Sequence, residues 1–465
     1  KNKLKKQRRK RSMRKFKKII SLLLTAAVVF LSACSGKTAG KSASSGGGTG
    51  KSAQKVELSF YNDYTAQNRA SDDNARLFYD MMRQFEKENP TIKLDVTEIS
   101  QDNYSNKIQA QNAGGDLPDV FFLKGSWVQS FIRNGSVAPL TDALNRSGIK
   151  DKYRQGIFDP VTSGGKIYGM PTQYSVTCLV FYNSNLWKSV GYEQFPDKWD
   201  DVLAASKKFK AKGTPATIAL GNKDKWPFES TILSCLGDRF TGTDWTRSII
   251  ARDGKSKFTD DGFVKALQFS QKLAKSGLFN ADYNAITDEQ ASTLYCQGKA
   301  AAVIDGFWDV SYINANASDE VKKATKLALL PAVEGGKGDT KATSGGAGWF
   351  IAENSSLEGE KKKAAEKFIM AMTGEEYSKN LTAKYGLIGP VNVGKTDTSK
   401  FSNVTQDYVN LINGGVTLTP IYDIQMDSTV IDVMNTGLQD LLNGSVQPAD
   451  LAKQIQDAQD KAGAK

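Results

Sequence analysis

The sequence predicts an α/β fold divided into two lobes, on three observations. Short strand-like apolar runs alternate with segments of helical period, and that alternation builds layered sheets with a mainly parallel core. The foldable stretch runs from about Val56 to about Lys461, more than one hydrophobic core usually organises, so two lobes are expected. No solenoid-type repeat interrupts the pattern.

Before the fold comes a leader. Of the 62 basic residues, twelve precede Cys34 with no acid among them, which leaves 50 cations against 50 acids in the rest of the chain. The formal charge of +12 therefore belongs to the leader. A nucleic-acid binder would keep a basic face in its folded part, so no nucleic-acid partner is expected. The apolar run Ile19 to Leu31 counts 13 residues, short of the roughly 20 that a spanning helix needs. Cations before it and small residues after it fit a signal peptide over 1–33, with Met13 as the expected start. Leu31-Ser32-Ala33-Cys34 resembles a bacterial lipobox, in which the Cys34 thiol receives a diacylglycerol; two or more acyl chains hold a protein stably at a membrane. Residues 34–55, rich in Ser and Gly, read as a flexible tether.

Val56-Glu57-Leu58-Ser59-Phe60-Tyr61 alternates as a strand. Phe78, Met81, Met82 and Phe85 recur at helical spacing over 72–88, with Asp72 or Asp73 as N-cap and Asn89-Pro90 as stop. Strands are expected at Ile92–Val96, Asp119–Leu123 and Leu179–Tyr182, and helices near 103–112 and over Trp199–Phe209. Later helices carry apolar stripes at Ala365, Phe368, Ile369 and Met372, at Val430, Met434, Leu438 and Leu441, and at Leu451, Ile455 and Ala458. Cys178, Cys235 and Cys296 lack Cys-x-x-Cys spacing and read as small buried side chains.

Six segments then stand in a recognisable order: FEKENPTIKL (85–94), GDLPDVF (115–121), GKIYGMP (165–171), FYNSNL (181–186), GKAAAVIDG (298–306) and AAEKFI (364–369). Together, behind a lipobox, they resemble the bacterial extracellular solute-binding proteins of family 1, the maltose-binding type that serves ABC importers. The resemblance covers the chain from Val56 onward. It implies a two-lobe periplasmic-binding-protein-like fold of the class II type, hinged by more than one crossing strand, with ligand in the interlobe cleft. By that analogy lobe one takes 56–172 and 328–348, and lobe two takes 173–327 and 349–465. The implied function is capture of a sugar or oligosaccharide, without catalysis, cofactor or metal. The implied partners are the permease subunits of an ABC importer and, through Cys34, the outer face of the cell membrane. A monomer is expected.

Ligands of open α/β sheets sit beyond the carboxyl ends of strands. Those ends offer Asn62, Asp63 and Tyr64, then Lys124, Ser126 and Trp127. Family-like positions add Gln173, Tyr174, Asp305, Trp308, Gly346 and Trp349, with Trp226 and Tyr422 as looser candidates. Sugars suit such a set: their C–H faces lie on rigid aromatic area, and their hydroxyls need directed donors and acceptors.

Two other signals are weighed. Gly389 to Thr396 matches the phosphate-loop pattern, yet that pattern works only between a strand and a helix N-terminus, and the residues that follow open a helix poorly. The chain contains no His, which removes Ser-His-Asp systems and His-containing metal sites. Asp63 with Asp305 would be the pair for a glycan hydrolase, the alternative from another class. The same fold holding a peptide, polyol phosphate or metal chelate is a third.

Overall fold

Alternate residues of Val56–Asn62 (β1), namely Leu58, Phe60 and Asn62, turn inward; the computed structural model describes residues 55–463. The leader, Cys34 and all but the last residue of the tether lie outside the described residues. Thirteen further strands follow: Ile92–Glu98 (β2), Val120–Lys124 (β3), Thr162–Ser163 (β4), Lys166–Ile167 (β5), Met170–Pro171 (β6), Ser175–Thr177 (β7), Leu179–Asn183 (β8), Ala216–Ala219 (β9), Ala300–Asp305 (β10), Thr325–Leu329 (β11), Thr343–Gly346 (β12), Trp349–Glu353 (β13) and Leu418–Pro420 (β14).

The helix Asp73–Glu88 carries the chain from β1 to β2. It forms where expected because Phe78, Met82 and Phe85 bury one stripe, while the Asp72 side chain accepts the Asn74 and Ala75 N–H groups at 2.8 and 3.3 Å. That cap satisfies two donors the helix leaves orphaned. The next helix, Gln101–Gly114, stops at Gly115, whose φ of 72° suits glycine. Asp119 is structural: its carboxylate accepts the Ser59 N–H and hydroxyl and pairs with Lys361 at 2.8 Å.

The first sheet runs β2-β1-β3-β13-β6, the second β11-β8-β10-β9. Both are mixed where a mainly parallel arrangement was expected. β1 pairs in parallel with β2 and β3, but β13 runs antiparallel to β3 and to β6, and β8 runs antiparallel to β10 and β11. In the second sheet Leu179 and Phe181 face one core while Val180 and Tyr182 face another. Both faces are covered, so β8 reads as a continuous apolar run.

The expected crossings need correction. Trp349–Glu353 pairs with Val120–Lys124 in the first sheet, and Phe368 of the following helix packs edge-on against Phe60 at 5.1 Å. These residues therefore sit with lobe one, not lobe two. Conversely Ala328 and Leu329 pair with β8 in the second sheet. The return passage thus lies between Leu329 and Trp349; a three-stranded sheet, β14-β12-β7, gathers this passage and the outgoing one. Family spacing misplaced it because β13 comes only two residues after β12.

Residues 389–396 include no helix, and none follows before Asn403. Instead the Gly389 and Pro390 carbonyls accept from Arg154 Nε and N–H at 3.0 and 3.1 Å. The phosphate-loop pattern is a coincidence of letters on a surface tie. Cys178, Cys235 and Cys296 are buried free thiols.

Candidate functional site

A cavity of about 420 Å³ opens between the two larger sheets, floored by Ser175 and Thr177 of the third. Each wall is set by strand ends. β1 ends in Asp63 and Tyr64, β3 ends in Lys124, and β10 leads through Gly306 into Phe307, Trp308 and Asp309.

The aromatic platform comes from both walls. Trp308 and Trp226 meet at 5.8 Å with their planes 67° apart, and Trp349 stands on the opposite wall. All three are half-buried. Gly306 makes room for Trp308: a Cβ there would fall 2.3 Å from the indole ring. Trp226 follows Lys225, held at φ 72°, a left-handed backbone that non-glycine residues rarely adopt. Trp349 is braced from behind by Trp127, edge-on at 5.5 Å and 90°.

Polar groups fill the gaps between rings. Lys124 Nζ lies 2.6 Å from Asp423 Oδ2. Gly125 permits that approach, since a Cβ there would sit 2.6 Å from the Ile424 carbonyl oxygen. On the second wall the Ser292 hydroxyl lies 2.9 Å from each Asp309 oxygen and 3.4 Å from Asp305 Oδ2, while Gly306 N–H donates to Asp305 Oδ1 at 2.7 Å. Burial raises Asp288 well above the carboxylate range, and the Trp308 side chain beside it counters this in part. Burial pushes Asp63 and Asp309 up to about 7 and Asp72 up to about 6. Burial first, then the neighbouring Asp288 and Asp309 charges, raises Asp305 well above the carboxylate range.

Of the residues expected at the ligand, Asp63, Tyr64, Lys124, Gln173, Trp226, Trp308 and Trp349 line this cavity. Asp305 lies beneath it, 1 % exposed and bonded to Ser292 and Gly306. Asn62 and Ser126 are buried outside the lining, Asn62 accepting the Tyr64 N–H at 2.9 Å. Trp127 supports Trp349. Tyr174 lies in a separate hollow, its ring 4.8 Å from the Arg154 guanidinium. Gly346 pairs with Ser175 in the third sheet. Tyr422 is fully buried in the second core. Asp72, Asn74, Asp288, Ser292, Asp309 and Asp423 line the cavity without having been expected there. Among the described residues no group of three or more Cys, Asp or Glu could hold a metal ion, and no helix is long and apolar enough to cross a membrane.

Residues 71–379 match the family model of bacterial extracellular solute-binding proteins. The chain belongs to that family. An ABC transporter extracellular-binding protein of Pyrococcus horikoshii is 27 % identical over 309 residues, 64 % of this chain and 66 % of the relative. The galactooligosaccharide-binding protein of Bacillus subtilis is 27 % identical over 326 residues, 68 % of this chain and 69 % of that one. Alignments to the Brucella binding proteins span about half of their length, 53 %. Among solved structures, a chitin oligosaccharide binding protein superposes with a TM-score of 0.78 at 23 % identity, covering 88 % of this chain and 100 % of that one. That likeness establishes the two-lobed fold of this solute-binding protein.

Proposed function

We propose that the protein captures a sugar or oligosaccharide at the outer face of a cell membrane, held there through a lipid on Cys34, and hands it to an ABC importer without chemical change. The observation that carries this reading is the cavity itself: indoles on both walls, with hydroxyls, amides and carboxyls between them. Ring faces suit pyranose C–H surfaces, and the polar groups suit an equator of hydroxyls. The relative named for galactooligosaccharides supports the ligand class. A guest touching both walls favours the arrangement that brings them together, so binding and closure become one equilibrium. The pair that the sequence offered for turnover, Asp63 with Asp305, is not assembled, because Asp305 lies beneath the cavity.

The test is a thermal-shift screen of the purified chain against mono- and oligosaccharides, with peptides and polyol phosphates alongside. A ligand present at 100 times its Kd stabilises by about 2.7 kcal/mol, so a binding sugar should raise Tm by several degrees. Ligand should also change tryptophan fluorescence, and Trp308→Ala should cost affinity at least tenfold while leaving a cooperative melt. Stabilisation by peptides or polyol phosphates and by no sugar would overturn the reading, as would reducing ends accumulating from an oligosaccharide.

A further inference from the structure

We propose that the cleft selects glycans by charge: it accepts uncharged or ammonium-bearing sugars and excludes those carrying carboxylate, phosphate or sulfate groups. The inference rests on the carbohydrate reading above and narrows it.

The lining is acidic on both sides. Asp63 and Asp72 stand on the first wall, and Asp288, Glu289 and Asp309 on the second. Lys124 is the single lysine or arginine among the described residues that line the cavity, and its ammonium is already engaged by Asp423 at 2.6 Å. Among the described residues, no lysine or arginine forms an ion pair with any of those five acids. An anionic guest would find no free cation to meet it, in a partly enclosed site where charges are poorly screened.

Hydrogen-bonding capacity points the same way. Asn74 and Asp423 line the cavity at 1 % and 4 % exposure. The Oδ1 atom of each is buried without a hydrogen-bond partner. Such acceptors are costly to leave unmet, so the site wants donors. A sugar hydroxyl donates once, an ammonium three times, and a carboxylate or phosphate oxygen only accepts. Oxidation at C6 removes one hydroxyl donor from each ring and adds an oxygen that only accepts, so an acidic sugar meets these acceptors less well than its neutral counterpart.

Titration calorimetry on the full chain at pH 8, above the raised values of Asp63, Asp72 and Asp309, tests this with matched trisaccharides that differ in oxidation at C6: galactotriose against trigalacturonate, and cellotriose against its triuronate, with a glucosamine trimer as the cationic arm. In any series whose neutral member binds, the uronate should bind at least about 100-fold more weakly, and the glucosamine trimer should bind no more weakly than cellotriose. Asp63→Asn with Asp72→Asn should narrow the neutral-to-uronate gap by tenfold or more; asparagine keeps the helix cap that Asp72 supplies. A uronate within tenfold of its neutral counterpart overturns charge selection and leaves carbohydrate capture standing. An unchanged gap in the double variant overturns its assignment to these acids. Binding by no glycan of any charge overturns the carbohydrate reading and this inference with it.

Discussion

Asp309 carries a measurable consequence of having been buried beside Trp308. Its carboxyl is pushed up to about 7 from 3.8, burial being the main cause. In the unfolded chain the same group releases its proton near 4. Between those values the native state binds more protons, so stability falls as pH rises from about 4 to about 7. At about 1.4 kcal/mol for each pH unit, this one group can account for up to about 4 kcal/mol. Asp309→Asn keeps an acceptor for Ser292 and cannot ionise. Calorimetric Tm values should therefore shift in the variant's favour, relative to the parent, on going from pH 4.5 to pH 7.5. A shift the other way would mean that Asp309 is ionised and partnered in the native state. At this scale the sequence was readable where chemistry stood apart from pattern. Trp308 and Trp349 could be found because they follow glycines and break no apolar stripe. Asp288 could not, because an acid in the first turn of a helix behind a Thr287–Gln290 capping box has a sufficient local reason to exist. Tyr422 misled for the opposite cause: its partners, Gly237 and Phe263, lie far away in sequence.

The helix Asp73–Glu88 shows one residue serving element and site together. Asp72 caps its N-terminus through two backbone N–H groups and also lines the cavity. Asp72→Ala should lower stability by about 1 kcal/mol, whereas Asp72→Asn should keep most of it, as read by urea midpoints. Equal loss in both would place the stabilisation in the charge, through the helix dipole, and not in the cap. Elements of this kind were legible because their signals are local: an apolar stripe, a cap ahead of it, a proline behind. Sheet membership was not. β13 and β12 are two residues apart in sequence and belong to different sheets, and only pairing with β3 decides the matter. No periodicity in Trp349–Glu353 records which lobe that strand will join.

At the scale of the molecule, the third sheet ties the two lobes where the chain passes between them, and Gly346 ends its central strand. With φ at +143° it adopts a backbone conformation open to glycine and strained for other residues, although a Cβ there would meet nothing within 4 Å. Substitution would therefore act through the backbone alone. The sequence placed Gly346 against the ligand; the structure pairs it with Ser175. The two roles leave different signatures. If Gly346 permits the arrangement that binds, Gly346→Ala lowers the population of that arrangement, and every ligand's apparent affinity falls by the same factor. A strain of about 1–3 kcal/mol makes that factor roughly fivefold to over 100-fold. Were Gly346 a contact residue, a short glycan and a long one would lose unequal amounts, because they reach different parts of the cleft. Titrating Gly346→Ala with two bound glycans of different length distinguishes the cases, with Trp308→Ala as the contact standard. Parallel losses are expected for the glycine and unequal ones for the tryptophan, because a hinge taxes closure whatever the guest, whereas a ring rewards only the sugar laid upon it.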